Sequence, residues 1–222
     1  MQDEKPANYY QNVRPEMMAY VPADSSRVLE VGCGEGEFGW RVKQSGAVEV
    51  WGIELVEARA RLAATRLDKV LVGDVADLVG QLPSGHFDAV VFNDVLEHLV
   101  DPFEVLRRVR PSLSEGGVVV SSIPNVRFFP VAYGLAVYGE WEYDESGILD
   151  RTHLRFFTGR SIQRMYERLG YEILRHEGIN REAHMPARYH ILNAVLRGRL
   201  ADMRFAQFAT VARPRPGADS GP

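Results

Sequence analysis

The chain has 222 residues, of which 45% are hydrophobic and 25% charged, and its formal net charge is −4. A chain of this length and composition can bury one sizeable apolar core, so we expect a single globular domain. No apolar run reaches the roughly 18 residues that span a bilayer, and the N-terminal stretch lacks the apolar centre of a secretory signal. Its one cysteine, Cys33, excludes an internal disulfide. Together these features predict a cytoplasmic protein without a transmembrane segment.

The charge is unevenly distributed along the chain. Residues 1–147 carry 13 Lys and Arg against 23 Asp and Glu, whereas residues 148–213 carry 12 Arg against 6 acids. A basic half of this kind can face phosphate, nucleic acid or anionic lipid, or its arginines can pair with the acidic half. The sequence leaves both interpretations open.

Strand-like runs rich in Val alternate with helical patterns through the first 125 residues. The runs are Arg27–Val31, Val48–Ile53, Val70–Val72, Phe87–Phe92 and Val118–Ile123. The helical stretches lie near 37–45, 56–67, 75–81 and 95–110. Buried strands separated by helices and joined by right-handed crossovers predict a doubly wound parallel sheet.

The regular pattern changes after Pro124. A helix is expected to begin after Thr158 and to stop at Gly170, and two last strands are expected at Tyr171–Leu174 and Phe205–Val211. We interpret the chain as one domain, 1–212, followed by a Pro- and Gly-rich disordered tail. The expected subdivisions are an N-terminal cap segment (1–26), an acceptor-side lid insertion (125–157), a helical insertion (180–204) and the tail (213–222).

A glycine-rich turn follows the first strand, in the order Gly32-Cys33-Gly34-Glu35-Gly36, and a helix begins just after it. Glycines at such a turn let the backbone approach a ligand at the carboxyl edge of the sheet. The dinucleotide fingerprint would need a glycine where Glu37 stands. Glu35 and Glu37 also place negative charge where a diphosphate would bind. NAD and FAD are therefore disfavoured, and a ligand with a cationic centre and no phosphate is favoured.

Two more carboxylates stand at the ends of the next two strands. Glu54 ends the second strand, where a carboxylate can accept both hydroxyls of a ribose. Asp74 follows the third strand, where it can accept a hydrogen bond from the exocyclic amine of adenine. A lone acid at a strand end is usually a solvated cap. Acids at successive strand ends beside a glycine turn instead indicate a nucleoside site.

Four segments taken in order, VLEVGCGEGEFG, VWGIEL, GDVADL and FDAVVFNDVLEHLVDP, resemble the class I S-adenosylmethionine-dependent methyltransferases. They are most similar to the small-molecule branch that includes ubiquinone-pathway O-methyltransferases, over roughly residues 27–125. The resemblance implies an α/β, Rossmann-like, doubly wound and mostly parallel seven-stranded sheet with an antiparallel last strand.

The same resemblance implies that S-adenosylmethionine is the cofactor. Gly32, Gly34 and Gly36 would wrap its methionine portion, and Glu30 would orient that loop. Glu54 would hold the ribose, Leu55, Asp74 and Val75 would contact adenine, and Asn93 would lie beside the sulfonium. Cys33 lies within the loop, where we expect a small buried side chain rather than a reactive thiol. Tyr9, Tyr10 and Arg14 precede the first strand, from where they could fold over the cofactor.

Candidate catalytic residues follow the fourth strand. Asp94, Glu97 and His98 are spaced i, i+3 and i+4, so they would share one face of a helix beginning at about Asp94. DVLEHL is similar to the E-x-x-E-H motif of families that bind a divalent ion, with His153 as a later ligand. Asp94 departs from that motif, and enzymes with a similar L-E-H stretch use no metal, so we expect no metal. We favour His153 as the general base for an acceptor hydroxyl, with His98 beside it.

The acceptor is the least determined part of the prediction. Gly139–Thr158 is similar to a segment of methyltransferases linked to surface-polysaccharide or sugar-nucleotide modification, and Arg151 or Arg155 could bind an acceptor phosphate. We expect methyl transfer to a small molecule or saccharide, at oxygen. An RNA 2′-O-methyltransferase is one alternative, against which the overall acidity and the lack of an RNA-binding module argue. A non-catalytic binding protein is the other, and the sequence does not indicate the oligomeric state.

Overall fold

The computed structural model describes residues 14–217. Strands and helices alternate through the first half: β1 (Arg27–Val31), α1 (Glu37–Gln44), β2 (Glu49–Glu54), α2 (Glu57–Ala63), β3 (Lys69–Val72), α3 (Val75–Leu78), β4 (Phe87–Asn93), α4 (Pro102–Val109) and β5 (Leu113–Pro124). The second half contains α5 (Phe129–Tyr133), α6 (Gly159–Arg168), β6 (Tyr171–Arg181), α7 (Ala187–Val195) and β7 (Phe205–Pro214). A short 3-10 helix, Pro15–Tyr20, precedes β1.

The strands form one seven-stranded sheet in the order β3-β2-β1-β4-β5-β7-β6. β1 pairs in parallel with β2 and β4, and β5 pairs in parallel with β4. β7 runs antiparallel to both of its neighbours, β5 and β6. This confirms the predicted α/β sheet with its antiparallel last strand.

The strand order reverses between β1 and β4, and this reversal positions the site. Val31 is in register with Ile53 on β2 and with Phe92 on β4. The residues that follow these three positions therefore emerge together at one edge of the sheet. A crevice at the carboxyl ends of strands beside such a reversal is where open α/β sheets bind ligands.

Two apolar clusters cover the two faces of the sheet. Alternate residues of each strand point to opposite faces, so Leu29 belongs to one cluster and Val28 to the other. The first cluster includes Leu106 of α4 and Ile162 of α6, and the second includes Phe38 of α1. A rigid sheet packed on both sides holds the crevice.

Two sequence expectations about element bounds are wrong. The helix expected from about Asp94 is absent: Leu96–His98 is a short 3-10 turn, and α4 begins at Pro102, where the Asp101 side chain accepts a hydrogen bond from the Glu104 amide at 3.0 Å. Proline disfavours helical backbone in the residue before it, so the helix cannot extend back through Asp101.

The expected tail also begins too early. β7 continues to Pro214, and Arg213 pairs across the sheet with Glu172, with a 2.7 Å ion pair between their side chains. This cross-strand pair extends the sheet by two residues beyond the expected end of the domain. The rest of the expected tail is described only to residue 217, and the last five residues lie outside the described part.

The two insertions after β5 pack on each other. Phe129 of α5 forms a small apolar cluster with Tyr189 of α7 and Met203. β6 runs to Arg181, so the helical insertion before the last strand begins after that residue. No helix among residues 14–217 is long and apolar enough to cross a membrane.

Candidate active site

The glycine turn after β1 has a backbone that only glycine adopts readily. Gly32, Gly34 and Gly36 have φ angles of 71°, 53° and 79°. The amide of Gly32 donates to the carbonyl of Ile53 at 2.8 Å, which ties the turn to β2. A Cβ added at Gly32 would lie 2.6 Å from Cγ2 of Val95. The turn therefore needs glycine for its conformation, and at Gly32 also for space.

Two buried carboxylates lie beside this turn and bond to backbone amides. Glu54 accepts hydrogen bonds from the amide of Gly34 at 2.8 Å and from the amide of Val56 at 2.9 Å. Glu30 accepts from the amide of Gly39 at 2.9 Å and so joins β1 to α1. Burial raises the pKa of Glu30 from 4.5 to about 8. The bond from Gly39 reaches α1 and not the turn itself, so the predicted role of Glu30 in orienting the turn stays a prediction.

A cavity of about 240 Å³ lies over the turn. Asn93, the last residue of β4, lines it, and within residues 14–217 neither atom of its buried side-chain amide has a hydrogen-bond partner. The full lining is Arg14, Glu30, Gly32, Cys33, Gly34, Glu37, Phe38, Glu54, Asn93, Asp94, Val95 and His98. The residues predicted to contact the methionine portion and the ribose of the cofactor thus line one cavity, except for Gly36.

The predicted adenine contacts lie outside this cavity. Leu55 is 54% exposed, and Val75 is buried. Asp74 accepts a hydrogen bond from the Ala76 amide at 2.8 Å and so caps α3. Gly36 packs instead against Ala63, which would lie 3.0 Å from an added Cβ. The adenine assignment stays a prediction.

Cys33 behaves as a packing residue. Its side chain is 5% exposed, and its sulfur would lie 2.5 Å from a Cβ added at Gly52. Burial raises the pKa of its thiol, which opposes formation of a thiolate. This agrees with the expectation of a small buried side chain.

The cavity suits an adenosyl sulfonium amino acid better than a diphosphate. Each oxygen of a carboxylate has more than one acceptor position, so Glu54 can accept ribose hydroxyls in addition to its two backbone amides. The unpartnered amide of Asn93 can serve the polar end of a ligand. Glu37 lines the cavity as expected and would repel phosphate, whereas Glu35 does not and pairs with Arg59.

An ion pair separates this cavity from a second one. Arg14 pairs with Asp94, and its guanidinium also contacts Glu16 at 2.8 Å and Gln207 at 3.0 Å. The side chain of Gln207 donates to Asp94 at 2.9 Å. Arg14 and Asp94 line both cavities and both have positive φ angles, 44° and 54°. This pair forms the shared wall. Tyr9 and Tyr10 lie outside the described residues.

The second cavity measures about 730 Å³ and is rich in polar groups. Its lining is Arg14, Glu16, Asp94, Glu97, Pro124, Glu145, Ser146, Gly147, Ile148, Asp150, His153, Asn180, Ala206 and Gln207. Gln207 and Asn180 were not expected from the sequence, because they come from β7 and β6 and only strand pairing brings them to this edge. Arg151 and Arg155 do not line it. Arg151 pairs with Glu145, and Arg155 donates to the carbonyl of Val100.

Glu97 and His153 line this cavity and lie close to His98, which lines the first one. One possible ligand atom of each lies within 4.8 Å of the others, although no continuous helix carries Glu97 and His98. Both carboxylate oxygens of Glu97 are buried and lack a hydrogen-bond partner within residues 14–217. Burial raises the pKa of Glu97 to about 8. The cluster contains an imidazole that can act as a base, His153, and its three side chains could also ligate a metal ion, as the alternative hypothesis requires.

The orientation of His153 is fixed by the insertion that carries it. Its Nδ1 lies 3.0 Å from the carbonyl oxygen of Ile148, so the ring donates there and keeps the proton on that nitrogen. In the neutral ring Nε2 is then an acceptor, and this atom lies 4.0 Å from Oε1 of Glu97. The ring of His98 packs edge-on against it, with centroids 4.6 Å apart.

Comparison with known sequences gives a consistent result. A family model described as a methyltransferase domain matches residues 4–176. A ubiquinone biosynthesis O-methyltransferase of Xanthomonas campestris pv. campestris is 33% identical over 144 residues, which cover 61% of this chain and 58% of the relative. The enzyme of the same name from Pseudomonas aeruginosa is 36% identical over 121 residues, 51% of this chain and 50% of the relative. The chain spans little more than half the length of these relatives.

Solved structures share the fold. A SAM-dependent methyltransferase from Archaeoglobus fulgidus superimposes with a TM-score of 0.68 at 20% identity, covering 91% of this chain and 93% of the other. An S-adenosylmethionine-dependent methyltransferase from Mesorhizobium loti gives 0.61 at 22% identity, covering 90% and 96%. At these identities the likeness shows the architecture alone.

Proposed function

Because this chain belongs to the methyltransferase-domain family, we propose that it transfers a methyl group from S-adenosylmethionine to an oxygen of a small-molecule acceptor. The observation that carries the proposal is the pairing of two adjacent cavities at the carboxyl edge of the sheet. One is lined by the glycine turn and Asn93, and the other by His153. Cofactor and acceptor each have a place, and a single side-chain pair stands between them.

Three groups would hold the cofactor in the first cavity. The glycine turn presents backbone to the ligand, Glu54 accepts the ribose hydroxyls, and Asn93 provides the amide that lacks a partner in the described residues. Glu30 acts indirectly, because it fixes α1 against β1. When bound, S-adenosylmethionine supplies a methyl group on a sulfonium and with it the leaving group.

His153 is proposed as the base that accepts the acceptor's proton. The Ile148 carbonyl holds the ring through Nδ1, and His153 lines the second cavity, where an acceptor hydroxyl would lie. The imidazolium formed would lie 4.0 Å from a Glu97 oxygen, and a positive charge there favours ionisation of that buried carboxyl. Proton removal makes the oxygen a better nucleophile, and His98 packs the ring in place.

The acceptor class is proposed from the second cavity and from the relatives. A volume of about 730 Å³ accommodates a small molecule. The relatives named ubiquinone biosynthesis O-methyltransferase act at oxygen by their names. A saccharide is the second candidate, favoured by the carboxylates and amides of Glu145, Asn180 and Gln207, which can bond ring hydroxyls.

The proposed cofactor is tested by measuring thermal unfolding in the presence of S-adenosylhomocysteine. At a hundredfold excess over Kd we expect about 2.7 kcal/mol of stabilisation. Asn93→Ala should lose most of this gain, whereas Asn193→Ala should keep it, because the Asn193 side chain only caps the amide of Leu200. Stabilisation by NADH instead of S-adenosylhomocysteine would refute the cofactor assignment.

The proposed reaction and its acceptor class are tested by measuring transfer of a radiolabelled methyl group to panels of phenols and monosaccharides. His153→Ala should abolish turnover and leave the stabilisation by S-adenosylhomocysteine intact. His190→Ala, which changes an exposed histidine of α7, should be as active as the unmodified protein. Cofactor binding without transfer to any acceptor would favour a non-catalytic protein, and transfer only to RNA would favour the RNA alternative.

A further inference from the structure

The basic half of the chain gathers six arginines on one surface, which we name the arginine face. Each member lines one of two clefts, and both clefts include residues of α6. They are Arg127, Arg155, Arg160, Arg164, Arg168 and Arg199. The clefts measure about 420 and 480 Å³. None of these six residues lines either cavity of the proposed active site.

The row on α6 follows from helical spacing. Arg160, Arg164 and Arg168 are four residues apart and exposed, whereas Ile162, Met165 and Tyr166 of the same helix are buried. Four residues advance a helix by about 6 Å and return nearly to the same side, so the three guanidinium groups form one outward row. The helix thus packs an apolar face on the sheet and turns a cationic row to solvent.

Few acids oppose this charge. Asp202 pairs with Arg127, and Glu167 is the exposed acid on α6. Arg160, Arg164, Arg168 and Arg199 form no ion pair within residues 14–217, whereas arginines of the acidic half such as Arg59 and Arg107 do. A surface that concentrates uncompensated positive charge on a protein of net charge −4 favours an anionic partner.

An exposed apolar stripe adjoins the arginine face. Ile191, Leu192, Val195 and Leu196, on α7 and at its end, are 65%, 40%, 73% and 42% exposed. They recur at i, i+1, i+4 and i+5, which keeps them on one side of the helix. Arg199 follows three residues later and lines the same cleft as Arg160, so the stripe leads into the arginine face.

We propose that the α7 stripe and the arginine face together form a docking surface for an anionic lipid bilayer. Aliphatic side chains beside arginines match the boundary between acyl chains and phosphate headgroups. A second copy of this chain fits less well, because equal positive charges would face each other. Single-stranded nucleic acid stacks on a series of exposed aromatic rings, whereas the exposed side chains of the stripe are aliphatic and Phe103, 37% exposed, is the exposed aromatic ring that lines the second cleft.

Flotation of the purified protein with vesicles tests this proposal. It should float with vesicles of phosphatidylcholine mixed with phosphatidylglycerol, not with phosphatidylcholine alone, and high salt should release it. The triple variant Arg160→Gln, Arg164→Gln, Arg168→Gln should lower partitioning on the order of a hundredfold. The matched control changes three exposed arginines of α1, α2 and α4, namely Arg41, Arg61 and Arg107, to Gln and should float like the unmodified protein.

The apolar part of the surface has its own test. Ile191→Ser combined with Val195→Ser should weaken flotation, whereas Val100→Ser, at a 74% exposed valine outside the stripe, should not. Equal flotation with neutral vesicles, or full flotation of the triple arginine variant, would overturn the proposal. Absence of vesicle binding would also overturn it. In that case, arginine-dependent binding of oligouridylate would assign the surface to nucleic acid, and arginine-dependent binding of inorganic phosphate would assign it to a soluble phosphorylated ligand.

Discussion

Replacing Gly32 by alanine should separate the two reasons why the turn needs glycine. A side chain at φ 71° costs roughly 1–2 kcal/mol of left-handed strain. The added Cβ would also lie 2.6 Å from Cγ2 of Val95, and an overlap of this kind costs about 1–3 kcal/mol. Gly32→Ala should therefore lose roughly 2–5 kcal/mol of unfolding free energy, measured by denaturant titration, together with most of its affinity for S-adenosylhomocysteine.

A double-mutant cycle isolates the contact. Val95→Ala removes the opposing methyl group, so Gly32→Ala should cost about 1–3 kcal/mol less in that background than alone. Gly85→Ala supplies the strain reference, because Gly85 has a φ of 62° and nothing within 4 Å of an added Cβ. Additive effects of Gly32→Ala and Val95→Ala, or equal costs at Gly32 and Gly85, would show that the steric argument is wrong.

Three further predictions concern other parts of the site. Glu30→Gln keeps the acceptor for the Gly39 amide but cannot ionise. The folded-state pKa of Glu30 is raised from 4.5 to about 8. As the pH rises between these values, the unmodified protein should therefore lose up to about 5 kcal/mol of unfolding free energy relative to the variant. Parallel plots of unfolding free energy against pH for the two proteins would contradict this. Cys33 should resist iodoacetamide until the protein unfolds; labelling of the native protein would contradict its burial. Arg14→Gln should raise the KM for the acceptor more than the Kd of S-adenosylhomocysteine, since Arg14 also orders Glu16 and Gln207 beside the second cavity; equal changes in the two constants would contradict this preference.

The metal alternative has a simple experimental answer. Glu97, His98 and His153 supply three donors, which is enough for a catalytic ion with open positions. We expect EDTA to leave methyl transfer unchanged, because His153 is proposed as the base. Loss of activity that Mg²⁺, Mn²⁺ or Zn²⁺ restores would instead make this histidine a ligand.

The sequence by itself determined the sheet and the glycine turn at its carboxyl edge. Strand runs such as Arg27–Val31 and Phe87–Phe92 are nearly continuous apolar segments, and a glycine turn after the first strand is a local signal. The family and the architecture were predictable for this reason, and the comparisons confirm both. The resemblance to the family, carried by local motifs, predicted Glu30, Gly32, Glu54 and Asn93 as one site, and these four residues line one cavity.

The tertiary structure alone decided the acceptor side. Gln207 and Asn180 reach the second cavity through antiparallel pairing of β7 with its neighbours, and no local pattern encodes that contact. His153 meets Glu97 although α4, β5 and α5 lie between them in the chain. The helical spacing expected near Asp94 was wrong because Pro102 delays the helix. Periodicity reports which face of an element is buried, whereas contacts between distant segments depend on how the whole chain packs.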